Sequence, residues 1–208
     1  MSLDKALMQE VERTQVVLLG LNWSDRQLYG QWLSQTYHFV RHTTRLLGLA
    51  AGCCTLNEQN YHEQFLYHLK EEHGHELLAL KDLRSLGLFL GSELPTTRRF
   101  YETTYDSIRS NGGVGLFGYM MFLENLAVIA GGKIADQVKP AFGAKSSRFL
   151  SVHAHEDIEH TQVTNQLLEN APQSHLQIIA NDLVVAGSNY REMLAELNVA
   201  ETLKRETA

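Results

Sequence analysis

Gly113-Val114-Gly115-Leu116-Phe117-Gly118-Tyr119-Met120-Met121-Phe122-Leu123-Glu124-Asn125-Leu126-Ala127-Val128-Ile129-Ala130-Gly131-Gly132 is a run of 20 residues that carries one charge, Glu124. By length alone it qualifies as a membrane span. Glu124, however, has apolar turns on both sides, and an unpaired carboxylate in such surroundings costs several kcal/mol. Pairing with a cation offsets that cost, and a carboxylate shared by metal ions between facing helices offsets it most fully. The run therefore reads as the core helix of a helical bundle, with Glu124 turned inward, and no membrane is expected as a partner.

Outward from this run, the 208-residue chain has only 3 Pro, and apolar residues recur at helical spacing with no alternating strand runs. The fold class is all-α, with about seven helices in one domain, 1–208. A first helix spans Leu3 to about Leu19, and Ser24-Asp25-Arg26-Gln27 has the spacing of a capping box opening a second, to about Gly52. A third runs from about Glu58 to Ser85, Thr96 opens a fourth that ends near Asn111-Gly112-Gly113, and the apolar fifth runs to about Val138. Pro140 and Gly143 break the chain before a sixth helix, Ser146 to Asn170, and Pro172 starts a seventh that ends near Leu197, with a polar, fraying tail from about 198.

Apolar residues make up 44% and charged residues 20%, enough for a sizeable core and against disorder. The net charge of -6, with Lys and Arg scattered, leaves no basic stripe for phosphates, so nucleic acid is not an expected partner. The two cysteines, Cys53 and Cys54, are too few for a disulfide framework, and Met1-Ser2-Leu3-Asp4-Lys5 lacks a signal-peptide pattern, which together predict a cytoplasmic protein.

Of 10 histidines, His62, His68, His73 and His75 fall in one predicted helix and His153, His155 and His160 in another. At 100° per residue, with His68 at zero, Glu72 lies near about 40° and His75 near about -20°. His153, Asp157 and His160 repeat the arithmetic, so both helices carry His-x3-carboxylate-x2-His on one face. Offsets of three and four residues let imidazole and carboxylate converge beside a helix, which is what a metal site needs. Such spacing on one helix often means only solvent exposure. Two matched faces plus a buried Glu124 are most of the ligand set of a helical dinuclear iron or manganese site. Imidazole with carboxylate suits iron better than calcium or magnesium.

The remaining candidates are less specific. His38 and His42, four apart, are placed so that either could supply a further ligand or proton donor, and Tyr37 could line a substrate pocket with Phe117, Tyr119, Met120 and Phe122. His73, His155, His62 and His175 read as surface residues. Cys53 and Cys54 have no sequence-local base and read as small apolar residues rather than nucleophiles. The apolar stretch Val16-Val17-Leu18-Leu19 is a candidate homodimer contact.

Tyr29, Trp32-Leu33, Tyr37-His38-Phe39-Val40 and His68-Leu69-Lys70-Glu71-Glu72-His73-Gly74-His75-Glu76 resemble helices of the heme-oxygenase-like superfamily, over roughly Tyr29 to Leu194. The His153-x3-Asp157-x2-His160 motif is similar to the last ligand helix of the heme-oxygenase-like diiron oxidases, also called iron-containing redox enzymes. The resemblance implies Glu72 and His75 as ligands, Glu124 as a bridging or terminal carboxylate, and His153, Asp157 and His160 as the late ligands. His68 falls where some members place a carboxylate, which implies a different redox poise or a metal such as manganese.

The expected function is an oxidase in which two non-heme iron ions, or iron and manganese, activate dioxygen toward a small organic substrate. His42 and Tyr37 are the candidate catalytic side chains beside the metal ligands. The resemblance extends to TenA-type thiaminases, pyrroloquinoline-quinone synthase and true heme oxygenases, so a metal-free cofactor-metabolism enzyme is the first alternative. A heme carrier with His38 or His42 as axial ligand, or a metal store, is the second. An interaction module with a polar face is the third.

Overall fold

The structure is a computed structural model that describes residues 2–206, with side chains through Leu197. Among the described residues every regular element is helical. In chain order these are α1 (Leu3–Leu19), α2 (Arg26–Val40), α3 (Thr43–Cys53), α4 (Gln59–Glu72), α5 (Glu76–Ser85), α6 (Pro95–Asn111), α7 (Phe117–Leu126), α8 (Gly132–Phe142), α9 (Arg148–Leu168) and α10 (Gln173–Glu206).

Two of the expected long helices are broken. The second divides at Arg41-His42 into α2 and α3. The third divides at His73-Gly74-His75 into α4 and α5, where Gly74 adopts φ 96°, a conformation that costs side-chain-bearing residues strain. Start signals also shift. Asp25, not Ser24, caps α2, its carboxylate accepting the N–H of Gln27 at 2.9 Å and of Leu28 at 3.2 Å. Pro95 rather than Thr96 opens α6, in the first-turn position where its missing N–H costs nothing. Helix α10 continues to Glu206, past the end expected near Leu197, and the side chains of the expected tail lie outside the described residues.

The apolar run is a core helix. From Pro95 to Phe142 the chain is helical almost throughout, and its most apolar window is 72% buried within the protein. Phe117 through Phe122 are all buried. Gly118 lets α7 lie against α10, since a Cβ there would come within 2.6 Å of the Ile179 carbonyl oxygen. A π-helical turn, Ala127–Gly131, follows α7 directly after the turn that carries Glu124 and packs on α9. Such widened turns cluster at functional sites.

Elsewhere α1 packs on α10, α2 on α5, and α3 on α4. Asp82 of α5 anchors the start of α9, its Oδ2 accepting the Phe149 N–H at 2.8 Å. Of the proposed contact face on α1, Leu18 turns into the core while Val16 remains exposed.

Candidate metal centre

Helices α4, α7 and α9 bring the predicted ligands together, with His75 supplied by the break before α5. His68 Nε2 lies 3.4 Å from Glu72 Oε1, and His75 Nδ1 lies 3.4 Å from Glu72 Oε2. One carboxylate thus faces two imidazoles, one oxygen to each. His68, Glu72 and His160 form a set whose donor atoms all lie within 4.8 Å of one another, and Glu72, His75 and His153 form a second. The residue common to both sets is Glu72. The sequence reading gave Glu124 the bridging or terminal place; in the structure it adjoins the first set, with Oε1 3.7 Å from His68 Nδ1.

Electrostatics follow from burial. Both Glu124 oxygens are buried without a hydrogen-bond partner, as is His68 Nδ1. Burial pushes the Glu124 carboxyl up to about 8, opposed by His68 and reinforced by Asp157. Glu72 is equally buried, yet the hydrogen bond from His68 and the close approach of the His75 imidazole outweigh that and hold its carboxyl well below the usual range. His160 Nδ1 lies 3.1 Å from Asp157 Oδ1, and its Nε2 lies 3.1 Å from Glu71 Oε2. Burial opposes its charge, but Asp157 and Glu124 raise the imidazole to about 9. His153 donates its Nδ1–H to the Phe149 carbonyl at 2.9 Å, which leaves the Nε2 lone pair for a ligand.

This donor set fits a divalent transition metal such as iron. It mixes imidazole with carboxylate, offers two adjoining sets, and places beside them a buried carboxylate that nothing in the protein satisfies. Asp157 belongs to neither set of three and faces His160, the arrangement in which a carboxylate orients a ligating imidazole.

The centre opens onto a mostly apolar cavity of about 110 Å³. Trp32, Phe39, Met120, Leu123 and Phe149 form much of its wall, and His68, Glu72, Glu124, His153 and Asp157 its polar side. Neither His42 nor Tyr37, the candidate catalytic side chains, is among the residues that line it. The break after α2 turns His42 onto α6, where its ring stacks on Tyr101 at 3.8 Å and its Nδ1 lies 3.1 Å from the Tyr105 hydroxyl. Burial and the neighbouring Arg41 and Arg45 lower its pKa to about 4. Tyr37 lies about 140° round α2 from Trp32 and so faces away from the cavity, under Arg41. His38 is buried with Nε2 2.8 Å from the Gly91 carbonyl oxygen, so neither it nor His42 is placed as an axial ligand in the cavity.

His73 and His155 are exposed, whereas His62 and His175 are half-buried, His62 donating to the Ala51 carbonyl at 2.8 Å. Cys54 donates its thiol to the Ala50 carbonyl, and burial pushes that thiol up to about 11, against a nucleophilic role. Two carboxylates that the sequence reading missed flank the centre: Glu71 beside His160, and Glu156, with Oε2 3.7 Å from His75 Nε2. Glu71 lies only about 60° from His68 round the helix, a signal the spacing contained.

A family model described as iron-containing redox enzyme matches residues 30–186. No curated protein matches the chain. Among solved structures, the chain is similar to a domain of unknown function with a heme oxygenase-like fold from Shewanella denitrificans, with a TM-score of 0.87, 19% identity, and 100% of this chain and 97% of that one covered. It is also similar to a TenA homolog from Pseudomonas syringae (TM-score 0.74, 12% identity, 94% and 92% covered). A TenA homologue from Pyrococcus furiosus follows with TM-score 0.66, 13% identity, and 95% and 99% covered. At these identities the likeness carries the fold, which is heme oxygenase-like.

Proposed function

The chain belongs to the iron-containing redox enzyme family, and from that premise we propose that it is a non-heme dinuclear iron, or iron/manganese, oxidase that uses dioxygen to oxidise a small organic substrate. The observation that carries this reading is the pair of donor sets meeting at Glu72, next to a Glu124 carboxylate buried without a hydrogen-bond partner. His68, Glu72 and His160 would hold one ion, Glu72, His75 and His153 the other, and Glu124 would complete the shell. Iron held there would supply the one-electron redox chemistry through which dioxygen can react.

The chain's own residues do the rest. Phe149 fixes the His153 ring through its carbonyl, and Asp157 orients His160. The apolar wall excludes water, which strengthens every charge interaction inside and limits side reactions. Helices rather than loops carry every donor but His75, as a site held to fractions of an ångström requires.

The deciding experiment is elemental analysis of untagged protein produced in iron-supplemented medium and desalted. Near two iron atoms, or one iron and one manganese, per chain is the expected result. Near zero, after anaerobic reconstitution as well, overturns it. A second reading has one observation in its favour: His68 with Glu72 and His160 with Asp157 already form imidazole–carboxylate pairs that could bind an organic substrate without metal. That reading predicts unchanged melting on chelation.

A further inference from the structure

Tyr119 is a polar group at the cavity for which the metal reading has no use. It lies on α7 and borders the cavity, yet it is only 3% exposed, and its hydroxyl is buried without a hydrogen-bond partner. Leaving a buried hydroxyl unsatisfied costs roughly 1–3 kcal/mol, and such groups in native structures call for a partner that the protein alone does not provide. Phenylalanine would fill the same volume without that cost.

The ring is held in place. It packs on Phe100 at 4.9 Å between centroids, and α7 is pinned against α10 by the close approach at Gly118. The hydroxyl therefore cannot swing out to solvent to find a partner. Burial, with Tyr105, Tyr190 and Glu72 nearby, raises the phenol above its ordinary range, so it stays an O–H donor. Among the described residues no Lys or Arg lines the cavity.

We propose that Tyr119 is a substrate-binding residue whose hydroxyl donates a hydrogen bond to a neutral oxygen acceptor, a carbonyl or amide oxygen, on a substrate whose remaining surface is apolar. A single neutral phenol O–H matches one neutral acceptor, whereas a free carboxylate would be drawn to the imidazoles and the proposed ions on the polar side of the cavity. The apolar wall accepts the body of the molecule, and the single hydrogen bond fixes which part of it faces Glu72 and Glu124. This inference rests on reading the cavity as the substrate site of the proposed oxidase.

The test uses the whole chain and two probes of one shape: acetophenone, and 2-phenylpropene, which has a CH2 in place of the carbonyl oxygen. Wild type is expected to bind acetophenone about three- to tenfold more tightly than 2-phenylpropene, the range one hydrogen bond supplies. Bound acetophenone should show its carbonyl stretch at lower frequency than in an apolar solvent. Tyr119→Phe should abolish both the preference and the shift while leaving the melting temperature equal or higher. A lower melting temperature in Tyr119→Phe, with no preference between the probes in wild type, means the hydroxyl serves a structural water and overturns the proposal. Equal preference in both proteins overturns it as well. Metal content measured on the same samples decides the oxidase reading separately, because probe discrimination does not require metal.

Discussion

The two donor sets that meet at Glu72 are built from different material. His68, Glu72 and His160 are all buried, and they come from the last two turns of α4, which ends at Glu72, and from the interior of α9. His75 and His153 are half-buried, and His75 stands outside regular helix, one residue past the left-handed Gly74. The inner set is positioned by two continuous helices packed into the core. The outer set depends on a three-residue connection and has the exposed Glu156 as its neighbour. Similar ligands in unequal surroundings should bind unequally: an ion in the inner set is desolvated and enclosed, whereas one in the outer set is closer to water and exchanges sooner.

Glu72 is where the comparison can be broken outright. Because each of its oxygens serves one set, Glu72→Ala should take metal content from about two ions per chain to near zero, with the helical circular dichroism unchanged. Retention of one tightly held ion would mean that the sets are independent. The next effect separates the sets. His160→Ala should leave an ion that a chelator strips quickly, and His153→Ala an ion that it strips slowly. Equal stripping rates in the two variants would remove the distinction between inner and outer sites.

The parts of this centre that were legible in the sequence are those governed by helical period alone. His68 and Glu72, and His153 with Asp157 and His160, share faces because 100° per residue puts them there, and Glu124 declared itself as the only charge in an apolar run. The break at His73-Gly74-His75 was not legible, because one glycine among good helix formers is tolerated within a helix as often as it ends one. His75 nevertheless reaches Glu72, through the turn rather than along the face that the continuous-helix arithmetic assumed. The division of α2 from α3 has no glycine or proline to announce it: the stacking of His42 on Tyr101, more than fifty residues away, accompanies it. Glu71 and Glu156 illustrate the same boundary. The period of α4 puts Glu71 near the His68 face, but which neighbour Glu71 and Glu156 meet there, His160 and His75, is set by packing between elements, which no single-helix periodicity contains.

The smallest expected effect is the pH dependence of the metal-free protein, and it sharpens the comparison from the side of the inner set. Glu124 is raised from its ordinary 4.5 to about 8 by burial, so the folded state holds a proton there that the unfolded state releases between those values. His160 is raised from 6.5 to about 9 by Asp157 and Glu124 against the cost of burial, so it too keeps a proton in the fold above its unfolded value. Both contributions are fully present at low pH and are lost as pH rises through the folded values. Glu72 has the opposite sign: its lowered carboxyl contributes above about 4.5, and that contribution is lost only in acid. Between about pH 5 and 9, metal-free protein should therefore melt at progressively lower temperature, by several degrees at roughly 2–4 °C per kcal/mol for a chain of this size. Metal binding needs the same groups deprotonated, so the gap between loaded and metal-free melting temperatures should widen over that interval. Thermal melts of both forms across the interval measure it. A metal-free melting temperature that stays level would mean that Glu124 already has a partner, and the inner set would lose the unsatisfied carboxylate that distinguishes it from the outer one.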